Sequence, residues 1–233
     1  MVGSEITAAL PVQLLLLLDS RSPAGAHGHS AGMEAAISLG LVRNVGDVTA
    51  FCRGRLLTSG LVSAAFAAHA CRGWQAGWSP DRWRDLDEEF SARTPSEATR
   101  SASRALGSGL RRLLVATVPD QAQRIRQSWM HCARPAPHQP LVLGAAVALG
   151  AGTDRIAARA AALSACAAPA SAAVRLLGLD PYAVHAAVSS LAPEIESTAD
   201  RAAELRRMPA SSAPALDLMA DVHARTEVRL FAS

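Results

Sequence analysis

Five residues near the N-terminus, Gly28-His29-Ser30-Ala31-Gly32, spell G-x-S-x-G. In α/β-hydrolases this pattern is a nucleophile elbow, with the serine on a strained turn between a strand and a helix. That chemistry also needs a parallel sheet beneath the turn and backbone N–H groups facing the oxyanion. Position 30 leaves little room for the earlier strands. Asp180 and His185 could complete a triad, so hydrolysis through Ser30 stands as the alternative reading. His27-x-His29 places two imidazoles in the same stretch. Imidazole ligates nickel, zinc and copper, but two nitrogens are not a site. His69, His131, His138, His185 and His223 form no H-E-x-x-H and fix no third ligand. Cys52, Cys71, Cys132 and Cys166 form no C-x-x-C and read as small buried apolar residues. Asp85, Asp87, Glu88 and Glu89, among Arg82, Arg84 and Arg93, read as a solvated helix face whose ion pairs contribute little each. No cofactor or metal site is expected.

The basic residues exclude more than they suggest. All 23 are arginine, and the chain has no lysine. A P-loop needs lysine on the β/γ-phosphates, and Schiff-base or pyridoxal phosphate chemistry needs a lysine amine. Net charge is only +3 over 233 residues, with arginines spread along the chain. Nucleic-acid binders gather a denser basic stripe with interleaved aromatics, so none is expected here. Arginine pairs with carboxylates through two parallel hydrogen bonds, which suits protein interfaces.

The elements that must position these residues read as helices. Fifty residues are alanine and only 4% are aromatic. Alanine, leucine and arginine are strong helix formers, and small alanine side chains let helices approach closely. The run Leu14 to Leu18 lacks preceding positive charge and is too short to span a bilayer, so it reads as a first buried helix of a soluble, cytoplasmic protein. Helices are expected over residues 8–19, 33–42, 47–72, 119–132, 141–150 and 154–168. Ser79-Pro80 and Asp180-Pro181 open two more. Thr94-Pro95-Ser96-Glu97 reads as a capping box with Thr94 at the cap. Pro193 should kink or split the helix that begins at Pro181. Residues 208–214 read as a linker before a last helix and a tail. The expected fold is all-α, one domain over residues 1–233, a bundle of about nine or ten helices.

Four segments together resemble the UreF family of urease accessory proteins. In the N-terminal loop, Pro23, Gly25, His27, Ser30, Gly32 and Glu34 match the family's pattern, while Ala26 and Met33 depart from it. Arg93-Thr94-Pro95-Ser96-Glu97 through Leu114 is similar to its middle helix. His138-Gln139-Pro140 through Gly144 is similar to its H-x-P-x-x-x-G segment. His223 followed by Arg229-Leu230-Phe231-Ala232-Ser233 resembles its tail, with Ala224 in place of glutamate. The resemblance implies an all-helical, dimeric, non-catalytic scaffold. It would bind UreD (also called UreH), recruit the GTPase UreG and assist nickel insertion into urease apoprotein. Gly25, His27, Ser30, Gly32 and Glu34 would face UreG or the complex. Arg229, Leu230 and Phe231, in a tail at about 226–233, would order against UreD with Phe231 as anchor.

Overall fold

The structure is a computed structural model and describes residues 12–19, 29–132 and 136–224. Every regular element among them is helical. In chain order the α-helices are α1 (Val12–Leu18), α2 (Met33–Ser38), α3 (Val45–Arg55), α4 (Leu61–Gln75), α5 (Pro80–Ala92) and α6 (Glu97–Thr117). There follow α7 (Ala122–Ser128), α8 (Gln139–Leu149), α9 (Asp154–Leu177), α10 (Pro181–Ser190), α11 (Ala192–Glu204) and α12 (Pro214–Ala224). A π-helical turn, Leu56–Gly60, joins α3 to α4 without a break, and only Leu191 separates α10 from α11. Taken as continuous runs, these twelve helices become ten. Pro193 splits the α10–α11 run as expected, because its ring fits only the first turn of the new helix.

Helix starts follow local chemistry. The side chains of Asn44, Ser96, Thr153 and Asp180 accept N–H groups of the first turns of α3, α6, α9 and α10. Ser96, rather than Thr94, caps α6. Its Oγ lies 3.1 Å from the Thr99 N–H, while the Thr94 hydroxyl donates back to Phe90 O. Thr94 still belongs to the end of α5, one turn too early to reach α6.

The core is built on α4, which packs against α8, α9 and α11. Ala64, Ala65, Ala67, Ala68 and Ala70 of α4 are fully buried, as are Ala145 and Ala146 of α8 and Ala157, Ala158 and Ala162 of α9. Helices with such small faces approach closely, and dispersion contacts between backbones replace those of larger side chains. The limit is Gly144, where an added Cβ would lie 2.2 Å from Ala67 O. Four tryptophans, Trp74, Trp78, Trp83 and Trp129, form one cluster of tilted and edge-to-face rings.

The helix expected to stop at Ala168 instead continues through Pro169 to Leu177. Proline cannot donate to the carbonyl four residues earlier, which leaves Ala165 O without its helical partner. Arg55 Nε, reaching across from α3, approaches that oxygen at 3.4 Å. Tertiary contact therefore compensates what local propensity forbids. By length and composition α9 could cross a bilayer, yet it lies against α2, α3, α4, α8, α10 and α11. Its outward side is mixed, with Arg155, Arg159, Ser164, Ser171 and Arg175 exposed beside Leu163 and Ala167.

Candidate partner-binding site

The end of the N-terminal loop enters α2 through two residues of positive φ, Ala31 at 54° and Gly32 at 88°. Gly32 suits this conformation, whereas Ala31 holds it at a cost of about 1–3 kcal/mol. Arg55 Nη1 donates to Ala31 O at 2.9 Å and fixes the strained turn to the α3–α4 rod. Burial pushes the Arg55 pKa down, partly opposed by Cys52, Cys166 and Asp217.

Glu34, in the first turn of α2, is buried against α12. His223 Nε2 lies 3.2 Å from Glu34 Oε2, and the two side chains are only 6% and 10% exposed. A second polar clasp holds α12 to α6. Asp221 Oδ1 accepts the Ser96 hydroxyl at 2.7 Å and the Ala98 N–H at 3.1 Å, at the positive end of the α6 dipole. Beneath α12 lies a cavity of about 150 Å3, lined among others by His29, Arg55, Ser59, Thr99, Leu216 and Asp217. On the outer side Leu218 and Val222 are exposed. The last described helix is thus held by polar contacts at its edges and carries apolar residues outward.

The structure therefore brings Glu34 and Gly32 to the same end of the bundle as His223. Gly25, His27, Arg229, Leu230 and Phe231 lie outside the described residues. Arg55 and Asp221 carry much of the geometry but have no local pattern that singles them out. Each acts on a segment far away in sequence.

Hydrolysis through Ser30 is not supported. Ser30 is fully buried, and its Oγ has no hydrogen-bond partner among the described residues. No sheet is present there to form an elbow. Nor do the described residues group three or more histidine, cysteine, aspartate or glutamate side chains as a metal site.

The acidic run on α5 needs a correction. Asp87 is fully buried, and Arg104 of α6 grips its carboxylate at 2.9 Å. The same carboxylate accepts the His138 backbone N–H at 3.0 Å. The sequence shows four acids among arginines, and helical phase turns one of them inward. Removing one partner of such a buried pair costs about 3–5 kcal/mol.

Ser91 bridges this network. Its hydroxyl donates to Asp87 O at 3.1 Å and accepts from Arg104 Nη2 at 3.1 Å. It also lies 2.9 Å from His138 Nε2, so the imidazole and the hydroxyl share a hydrogen bond. Burial, then Arg104 and Arg100, push the His138 pKa down to about 3. Serine, histidine and aspartate meet here, but the carboxylate receives a backbone N–H instead of the imidazole ring, so they form no catalytic relay. Gly107 completes the arrangement, since a Cβ there would lie 2.1 Å from Pro137 O.

Comparison with known proteins now adds identity to this geometry. The family model for UreF matches residues 42–192. A urease accessory protein UreF of Mycobacterium sp. (strain JLS) is 40% identical over 221 residues, spanning 94% of this chain and 97% of its own length. The chain belongs to the UreF family. Proteins named urease accessory protein UreF from Mycolicibacterium vanbaalenii and Mycobacterium tuberculosis (strain ATCC 25177 / H37Ra) are 39% and 38% identical over equal shares of both chains. The alignment with these UreF proteins spans nearly the whole chain, well beyond the helices matched by the family model.

Proposed function

We propose that this chain is a non-catalytic scaffold of urease maturation, acting in the cytoplasm as one unit over residues 1–233. It binds UreD (UreH) through α12 and the tail at about 226–233. It presents the N-terminal loop to the GTPase UreG, and the assembly delivers nickel, as cargo, to urease apoprotein. The observation that carries this reading is near full-length similarity to proteins named urease accessory protein UreF. The build of α12 supports it: polar clasps at its edges and exposed Leu218 and Val222 outward suit a helix whose outer side meets a partner. A chain without lysine leaves P-loop chemistry to a separate GTPase.

A second copy of the chain is the expected partner on the side of α9 around Leu163. Leu163 on α9 is 48% exposed, and Leu39 and Leu41 follow α2, which packs on α9. These leucines supply apolar area that a two-fold pairing would bury.

Co-expression with UreD and UreG tests the scaffold reading. The full chain should co-purify with both and restore urease activity to cells lacking it. Removal of residues 226–233 should abolish UreD capture, while helicity by circular dichroism stays unchanged. Undiminished capture by the truncated chain would refute the tail assignment, and failure of the full chain to restore activity would refute the scaffold role.

A further inference from the structure

We propose that Cys52 and Cys166 form a modification site, a dithiol that a small hydroperoxide converts into an intrachain disulfide. The two residues sit on facing helices, α3 and α9, and are fully buried. Their contacts are crossed: Cys52 Sγ lies 3.4 Å from Cys166 O, and Cys166 Sγ lies 3.7 Å from Cys52 O. Each thiol thus donates to the backbone carbonyl of the other residue, which sets the two side chains against each other. Small neighbours bring the helices this close. Across the same contact a Cβ at Gly60 would lie 3.1 Å from Ala165 Cβ, and Arg55 Nε approaches Ala165 O at 3.4 Å.

A buried thiol is ordinarily an inert apolar filler. Cys71 and Cys132 follow that rule, since burial pushes both up to about 12. The pair differs because the two thiols lie crossed against each other's backbone with the Arg55 charge near both. Cys166 is accordingly shifted down, chiefly by its neighbour Cys52, and Cys52 is shifted up. One member is thus the nucleophile and the other its resolving thiol.

The chemistry balances in two steps. The Cys166 thiolate attacks a peroxide oxygen, the O–O bond breaks, and sulfenic acid and hydroxide form. Cys52 then attacks that sulfur, its proton leaves with the departing hydroxyl as water, and the S–S bond closes. Sulfur is oxidised by two electrons, and the peroxide is reduced.

Because neither sulfur touches water, the reaction proceeds during local opening of the α3–α9 contact. The test uses the full wild-type chain, treated with hydrogen peroxide and then alkylated and digested. We expect a peptide pair joining Cys52 to Cys166, lighter by two hydrogens and reversed by dithiothreitol. It should form before the more exposed Cys132 is modified. Closing a loop with a sequence separation of 114 should raise Tm by roughly 5–15 °C. In Cys52→Ser, Cys166 should instead accumulate sulfenic acid that dimedone traps. Prior consumption of Cys132, or free Cys52 and Cys166 after Cys132 is fully oxidised, overturns the proposal whether or not the variant folds.

Discussion

Protonation of His138 would break the arrangement that seats the start of α8 between α5 and α6. The folded chain holds this imidazole neutral down to about pH 3, whereas an unfolded histidine titrates near 6.5. Between those values the unfolded chain binds the extra proton, so stability rises with pH there. The His138 contribution is complete above about pH 6.5 and disappears as pH falls toward 3. The slope attributable to this residue approaches about 1.4 kcal/mol per pH unit in that window. Urea denaturation at several pH values should show it, and His138→Gln should flatten the curve. An unchanged slope in the variant would assign the acid sensitivity elsewhere. None of this was readable from H-x-P, because the burial that lowers the pKa and the α6 arginines that add to it come from tertiary packing and not from the neighbouring sequence. Asp87 shows the same limit: its four-acid run looks solvated until α5 is placed against α6.

Among the elements, α4 and α8 set the closest approach in the core, and Gly144 permits it. Gly144→Ala should cost at least about 1–3 kcal/mol, because the new methyl meets a backbone oxygen that no rotamer change can move. Calorimetry should find Tm lowered by at least several degrees with the helical content retained. A shift under one degree would mean that the helices separate freely. Helix existence was legible in this sequence because caps, prolines and alanine content all act locally. Helix extent was less so. Pro169 signals a stop by every local criterion, and continuation is met by tertiary contact: Pro169 is buried, and Arg55 from another helix approaches the freed carbonyl. The cap of α6 falls two residues later than the sequence pattern indicates, for a related reason: Thr94 and Ser96 have the same chemistry, and the end of α5 decides between them. Glu34 and His223 were both visible as motif residues, but their pairing depends on α2 and α12 meeting at one end of the bundle.

At the scale of the whole molecule, the surface divides by how its charges are used. On α9, Arg155 and Arg159 are engaged by Asp200, Glu204 and Glu196 of α11, and the helix then turns uncharged at Leu163. Leu163→Arg should weaken self-association on the order of 100-fold, since a two-fold contact brings two such charges together in an apolar seam. Light scattering across a dilution series reads this directly. Dimers that persist at wild-type concentrations would place the contact on another face. The continuous rod from α3 through α4 has a consequence of a different kind. Its π turn uses about one more residue per turn than an α-helix, so its five residues cover about the rotation that four would cover in an α-helix. Deleting one residue within Leu56–Gly60 would let the rod become regular while α4 keeps nearly its present phase, its alanine face still on the core. A one-residue insertion into a regular rod would instead turn α4 by about 100° and take that face out of the core. The π turn is thus a place where the chain holds a residue more than a straight helix needs without turning α4 away from its neighbours, tolerant of loss and intolerant of gain.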